Sequence, residues 1–477
     1  MVLEEELATL TLNTDSAAKK PLYLQIAQQI RQLIQIGRLN CDERLPSSRK
    51  LALLLNISRT STLNAYDQLI AEGFLVSRST SGIFVTALGL NKESLTSNPI
   101  HPRKQDKNED IEILNTFDAG PDCDHFPFND WSRSLAKSWK KPDQSLLRGR
   151  LIGGYQPLRL SVSRYLKAVR GINCHPDQVI VTAGSRDAMA LINEVIFQPG
   201  DKVALENPCY PPLRHMLKSQ SANILNCDID HQGMCLPEST VKQAWMTPAR
   251  QYPLGITQSI QRRLEWLDYS KQQKCWIIED DYDSEFHYRK TPLSTLHSMS
   301  TQTQSEDKQR VILMGSFSKL MFRTLRIGYL IVPLRLVDSF LTAQDRLGNM
   351  TSILVQPALA DFISHRRFAS HLRRMRSIYQ QRRDYLHTLI QQNLNPWIES
   401  ELPDCGMHLL ARLKPQYPHS DLWLVAELKK QGIHISALSE HYQSQQVEGL
   451  LLGFSGANEA SLSDGVNRLA RLMRMDK

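Results

Sequence analysis

The stretch GSFSKLMFRTLRIGYL, residues 315–330, sets one lysine, Lys319, between small hydroxyl residues and an apolar run. Ser316 and Ser318 precede it, Leu320, Met321 and Phe322 follow, and Arg326 lies seven residues on. RVILMGSFS before the lysine and RIGYLIVP after it read as strands, which puts Lys319 in the turn at a strand's C-terminal end. QVIVTAG (178–184), KVALEN (202–207) and KCWIIEDD (274–281) are further strand-length apolar runs, separated by stretches with helical spacing. This alternation predicts an α/β domain with a mainly parallel sheet. Ligands of such sheets bind beyond the C-terminal strand ends. Residues from about 360 onward read as a smaller α+β lobe.

A lysine picked at random is a solvated surface residue, and a phosphate-binding lysine would require a GxxxxGK[ST] loop, which the sequence lacks. The third reading is a Schiff-base lysine holding pyridoxal 5'-phosphate. That cofactor needs an acid for its pyridine nitrogen, a phosphate cup and a stacking aromatic ring. WIIEDDYDSEF (276–286) ends a strand in carboxylates, so Asp280 suits the ring nitrogen and Tyr282 the ring's phenolic oxygen. VTAGSRDAM (181–189) reads as strand, glycine turn and helix start, which makes Ser185 and the neighbouring amides an anion site. Ser316 and Arg326 add phosphate ligands, Arg326 through its planar fork. Ser318, beside the lysine, completes the set. Tyr210, in ENPCYPP (206–212), follows another strand and is placed to stack on the ring.

The N-terminal residues 19–88 have a different texture. PLYLQIAQQIRQLIQIG starts on Pro21, stops at Gly37 and carries Leu22, Ile26, Ile30, Leu33 and Ile34 as a helical stripe. SSRKLALLLN predicts a second helix capped by Ser47, and SRTSTLNAYDQLIAEG a third between Ser58 and Gly73. FLVSRSTSGIFV alternates around a small-residue turn and predicts a hairpin. Three helices and a hairpin make a winged helix-turn-helix, whose third helix enters the DNA major groove. Its leading residues are Ser58, Arg59, Thr60 and Ser61; Arg59 suits guanine and the hydroxyls suit phosphates or bases. Arg49 and Arg78 are the expected flanking clamps on the DNA backbone. Nine basic residues against four acidic ones give this segment a net charge of +5. The polar, proline-punctuated residues 89–113 read as a linker.

Residues 21–85 closely resemble the GntR family of DNA-binding domains. Taken in order, TAGS, ENPCY, TPARQYPLG, EDDYDSEF and SFSK…LRIGY resemble the fold-type I aminotransferases, a resemblance that spans about residues 114–475. A GntR-like module joined to such a domain, with EDDYDSEF in it, resembles the MocR-type transcriptional regulators. The resemblance implies a DNA-binding domain over 19–88 and an aminotransferase-like domain over 114–477. It also implies operator DNA as partner, a small-molecule effector and a head-to-tail homodimer. Lys319 would be the Schiff-base lysine, Asp280 and Tyr282 the ring partners, Tyr210 the stacking residue, and Ser185, Ser316 and Arg326 the phosphate ligands.

Departures from the aminotransferase pattern bear on function. Alignment of LLLGFSG (450–456) puts Leu451 where aminotransferases carry the arginine that grips a substrate's α-carboxylate, and leucine cannot form that bidentate pair. Tyr252 falls at the position of the asparagine used against the ring oxygen, Arg250 replaces a histidine, and Arg186 stands where glutamine is common, adding positive charge beside the phosphate. Gly149 or Arg150 falls where relatives place a tyrosine reaching the partner subunit's cofactor. These changes predict a sensing domain rather than amino-acid turnover, with pyridoxal phosphate itself as one candidate effector. An active aminotransferase with an accessory DNA-binding module is the alternative.

The bulk numbers agree. The 477 residues carry a net charge of +8, a balance that suits an anionic partner without identifying one. Eight scattered cysteines with no CxxC pair read as reduced, buried thiols of a cytosolic protein, with no metal site. The sequence shows no apolar run long enough to span a bilayer and no signal-peptide pattern.

Overall fold

The computed structural model describes residues 20–78, 81–87, 116–149, 151–288, 293–303, 305, 308–348, 351–443 and 447–474. The expected linker (89–113), the hairpin-tip residues Ser79 and Thr80, and Arg150 lie outside them. The chain divides into an N-terminal and a C-terminal unit, and each stands by itself below.

In the N-terminal unit, α1 (Leu22–Gln35) buries Ile26, Ala27, Ile30 and Leu33. Leu22 and Ile34, at the margins of the expected stripe, are half-buried. Ser47 caps α2 (Ser48–Leu54) by accepting the Lys50 amide, and Ser58 caps α3 (Arg59–Ala71) by accepting the Ser61 amide. Gly37 and Gly73 follow α1 and α3 with φ of 71° and 80°, a conformation that glycine adopts without a Cβ clash. β2 (Leu75–Arg78) and β3 (Gly82–Val85) form the expected hairpin. A third strand, β1 (Arg44–Leu45), pairs with β3 and gives the order β1-β3-β2. Two residues are too short to show a period, so the sequence did not reveal this strand. Ile26, Ile30, Leu51, Tyr66, Leu69 and Val85 meet in the core. Tyr66 donates to the Pro46 carbonyl at 2.8 Å and ties α3 to the segment before α2. Arg31 of α1 grips Glu72 through two nitrogens at 2.7 and 2.9 Å.

The C-terminal unit is built on an eight-stranded sheet of β4 (Val179–Thr182), β5 (Lys202–Asn207), β6 (Asn223–Asp230), β7 (Gly233–Met234), β8 (Gln243–Met246), β9 (Trp276–Asp281), β10 (Val311–Ser316) and β11 (Gly328–Ile331). The order is β4-β11-β10-β9-β8-β5-β6-β7, parallel from β10 through β6. RIGYLIVP supplies β11, which runs antiparallel to both β10 and β4. Along β4, Val179 and Val181 enter one core and Ile180 the other, so both faces of the sheet are covered and the strand is apolar throughout. α4 (Gln156–Arg170) and α6 (Arg367–Asn393) pack into the first core, and α5 (Ser185–Ile196) into the second. The expected smaller lobe contains a four-stranded antiparallel sheet of β12 (Ile398–Ser400), β13 (His408–Leu413), β14 (Ser436–Ala437) and β15 (Gly449–Gly453), in the order β12-β13-β15-β14. Among the described residues no helix is long and apolar enough to cross a membrane.

One buried ion pair fastens a helix to the sheet: Arg170 of α4 meets Asp281 at the end of β9 at 2.8 Å, and both side chains are almost fully enclosed. Replacing Asp281 with alanine removes the ion-pair partner and leaves the guanidinium only the Ser284 hydroxyl and the nearby Glu285 carboxyl. The expected loss is about 3–5 kcal/mol of unfolding free energy, measured by urea denaturation of the purified protein.

Candidate cofactor cavity and DNA-facing helix

The sheet delivers its chemistry at one edge. Strand ends or the turns just beyond them contribute Ser185 after β4, Tyr210 after β5, Thr247 and Tyr252 after β8, Asp280 and Tyr282 at β9, and Ser316 and Lys319 at β10. These residues line one cavity of about 510 Å³. Phe117–Ala119, Met407, His408, His434–Ser436 and Leu451 form the remaining wall, together with Arg323. Six of the nine residues expected from sequence, namely Lys319, Ser185, Tyr210, Asp280, Tyr282 and Ser316, therefore share one space.

Lys319 Nζ donates to the Ala119 carbonyl at 3.4 Å. Burial lowers the pKa of this amine below that of an ordinary lysine, against the opposing pull of Asp283. Among the described residues Asp280 makes no hydrogen bond or ion pair. Burial, reinforced by Asp281, Glu206 and Asp283, raises its carboxyl to about 8, with Lys319 opposing. An acid in that position is short of a cation.

The other three expected residues stand apart from the cavity wall. Arg326 adopts φ 49°, and its guanidinium lies across Gly184, where an added Cβ would come within 3.3 Å of it. It therefore sits on the glycine turn that opens α5. Ser318 Oγ is buried without a hydrogen-bond partner. Arg186 is exposed on the first turn of α5, since successive helical residues diverge by about 100° and Ser185 takes the cavity side. A depressed amine, an acid without a partner, an orphaned hydroxyl and a guanidinium over a helix-opening glycine turn fit pyridoxal 5'-phosphate in charge and kind.

Behind the cavity lies a network that sequence reading did not reveal. Arg250 is fully enclosed. It donates to the Tyr282 hydroxyl at 3.1 Å, pairs with Asp283 at 3.3 Å and bonds the His408 carbonyl at 2.9 Å. His408 Nε2 donates to the Pro253 carbonyl at 3.1 Å, which leaves Nδ1 as the acceptor for Arg250 at 3.2 Å. Burial and the adjacent guanidinium hold the His408 pKa well below its usual value, so the ring is neutral. Gly406, with φ 90°, leaves the room: a Cβ there would fall 2.2 Å from Arg250 Nε. Tyr252 stands edge-on to Tyr210, Tyr282 and His408 at 5.8, 5.8 and 5.7 Å. Its amide donates to Thr247 Oγ1, and that hydroxyl donates to buried Glu206. Asp283 was visible in the acidic motif, but its partners come from distant segments. Leu451 of β15 faces Leu410 across the smaller sheet and forms part of the cavity wall.

On the N-terminal unit, Arg49, Arg59 and Thr60 are exposed, and the two arginines make no ion pair among the described residues. Ser58 and Ser61 are engaged in the helix cap, their hydroxyls 2.8 Å apart. Arg78 pairs with Asp42 and lies over the Phe84 ring at 4.7 Å, so the hairpin arginine already has partners.

Comparison with known proteins agrees with both halves. Residues 22–85 match the family of bacterial regulatory proteins, gntR family, and residues 123–447 match aminotransferase class I and II. The probable rhizopine catabolism regulatory protein MocR of Rhizobium meliloti is 33% identical over 472 residues, covering 95% of this chain and 94% of that protein. The HTH-type pyridoxine biosynthesis transcriptional regulator PdxR of Corynebacterium glutamicum is 29% identical, covering 92% and 93%. Among solved structures, the α-aminoadipate aminotransferase LysN of Thermus thermophilus superposes with a TM-score of 0.69 at 20% identity, over 76% of this chain and 92% of that one. With a gntR-family helix-turn-helix ahead of a cofactor cavity on an aminotransferase sheet, the chain belongs to the MocR-type, pyridoxal-phosphate-dependent transcriptional regulators.

Proposed function

We propose that this protein senses a small molecule at the Lys319 cavity and reports it through operator DNA held by the N-terminal unit. The observation that carries the reading is the convergence, from five strand ends, of a depressed lysine amine and an acid without a partner. Lys319 would hold the cofactor aldehyde, and Asp280 would hold a proton on the pyridine nitrogen. Tyr282, whose hydroxyl already accepts from Arg250, retains its own proton for the ring oxygen. Tyr210 stacks on the ring. Ser185 and Ser316 would hold the phosphate from the cavity wall, with Ser318 and Arg326, the latter across the Gly184 turn, supporting them from behind it, while Arg186 would add positive charge from outside the cavity. When bound, the cofactor supplies an electron sink for a captured amine.

Leu451 sets the limit on what is captured. An apolar side chain at that place gives no anchor for an α-carboxylate, Arg250 is locked behind the wall by Asp283 and His408, and Arg323 on the wall is already paired with Asp118. Amino acids are therefore poor ligands, and the domain signals rather than turning substrate over. Pyridoxal phosphate itself is one candidate effector, a reading that the similarity to PdxR favours. A head-to-tail homodimer in the cytoplasm would present two DNA-binding units to paired half-sites, with Arg59 reading a guanine and Arg49 on the backbone. Arg78 reaches DNA only by releasing Asp42.

Borohydride treatment of protein loaded with pyridoxal phosphate should leave a pyridoxyl group on Lys319, located by peptide mass spectrometry; Lys319→Ala should abolish both the label and the cofactor's visible absorbance. Because burial lowers the lysine pKa, the rate of cofactor capture should rise with pH and reach its midpoint below 10.5, the ordinary lysine value. Leu451→Arg should admit α-amino acids, read as spectral shifts of the bound cofactor that the unsubstituted protein does not give. Steady multi-turnover transamination by the unsubstituted protein would refute the sensing role. At the cognate operator, Arg59→Ala should weaken binding by about 1–3 kcal/mol in a titration at fixed salt.

A further inference from the structure

The third helix of the N-terminal unit exposes one continuous arc. Thr62, Ala65, Tyr66 and Leu69 fall on its buried side. Arg59, Thr60, Leu63, Asn64 and Asp67 fall on the exposed side, in two rows at helical spacing, 59-63-67 and 60-64. The hydroxyls of Ser58 and Ser61 at the helix start are committed to the cap. Sequence reading beyond Arg59 and Thr60 then has to come from the next turn.

Two residues there are not accounted for by the unit's own fold. Leu63 is 38% exposed and takes no part in the unit's core, yet it sits between Arg59 and Asp67 on a polar face. Asn64 lies in mid-helix, where asparagine is among the weaker helix formers, and its amide has no partner among the described residues. Asp67, one turn on, would repel phosphate, which confines the groove-facing part of the helix to its first two turns.

We propose that Leu63 and Asn64 together read an A·T step of the operator, a specificity that adds to the DNA-binding reading above and rests on it. The Asn64 carboxamide matches adenine in the major groove, accepting from N6–H and donating to N7. The Leu63 side chain matches the C5-methyl of thymine. Arg59 and Asn64 are five residues apart, a rise of roughly 7.5 Å, or about two base-pair steps along the groove. The A·T step therefore lies within about two to three base pairs of the guanine that Arg59 takes. Neither side chain supports the fold: Leu63 is outside the core, and alanine at 64 is a better helix former.

The test selects duplexes from a random pool with the full-length protein and with its Asn64→Ala and Leu63→Ala variants. Circular dichroism and thermal midpoints confirm that each variant is folded, and Leu63→Met serves as a second variant. The unsubstituted protein should enrich a motif with an A·T step beside a guanine. Asn64→Ala should lose the A·T preference and bind the selected operator about tenfold or more weakly. Replacing thymine by deoxyuridine, which removes only the methyl, should weaken the unsubstituted protein and leave Leu63→Ala unaffected. A motif unchanged in both folded variants would overturn this assignment alone. No enriched motif from the unsubstituted protein would overturn the DNA-binding reading together with it.

Discussion

Five carboxylates within seven residues, Glu279 to Glu285, run from the last residues of β9 into the loop beyond it, and the site depends on how their charge is neutralised. Like charges at that spacing in a buried place repel strongly, and each needs a cation, a donor or a proton. Glu279 takes the amides of Leu296 and His297 at 3.0 and 2.9 Å, Asp281 takes Arg170, and Asp283 takes Arg250. Glu285 feels Arg170 as well, and burial raises its pKa. Among the described residues Asp280 opens on the cavity with neither donor nor ion-pair partner, and it carries the highest of these raised values, about 8. Asp281 and Asp283 are each paired with an arginine, whereas Asp280 faces the cavity that Lys319 also lines.

The same neutralisation shapes the rest of the cavity. Arg250 reaches Asp283 only because Gly406 leaves room for its side chain, and in passing it fixes Tyr282 and the tautomer of His408. Glu206, whose pKa burial raises to about 7, holds Thr247 and Gln251 and thereby the loop that presents Tyr252. Aromatic and aliphatic residues, Tyr210, Tyr252, Met407 and Leu451 among them, line much of the wall. A rigid wall of this kind can respond to occupancy, provided that bound and free states differ in their affinity for the ligand.

The N-terminal unit divides its labour along a single helix. The hydroxyls of its first turn close the cap, the buried face ties into the core through Tyr66, and what remains is a narrow arc of side chains with no internal task. Arg59 was evident from its place behind a cap serine. Leu63 and Asn64 became visible only when the buried face was known, because in the sequence they sit among residues of both faces. Ser61 and Arg78 show the converse: types suited to DNA whose atoms already have partners within the unit.

Local signals sufficed for much of the molecule. Capping serines, terminating glycines and helical stripes marked α1 to α3, and apolar runs of strand length marked β4, β5, β9, β10 and β11. Lys319, Asp280, Tyr282, Ser185, Ser316 and Tyr210 were legible because their chemistry sits at strand ends, where a parallel sheet gathers it whatever the loop lengths. Other facts depended on contacts between segments far apart in the chain. Arg250 and His408 are 158 positions apart and Lys319 and Ala119 are 200 apart, and no local pattern encodes either pairing. The antiparallel direction of β11, the exposure of Arg186 and the two-residue β1 were decided by tertiary packing for the same reason. Sequence determined which chemistry was present and at which strand ends; only the folded chain determined which groups were already satisfied by one another, and therefore which were left to meet a ligand.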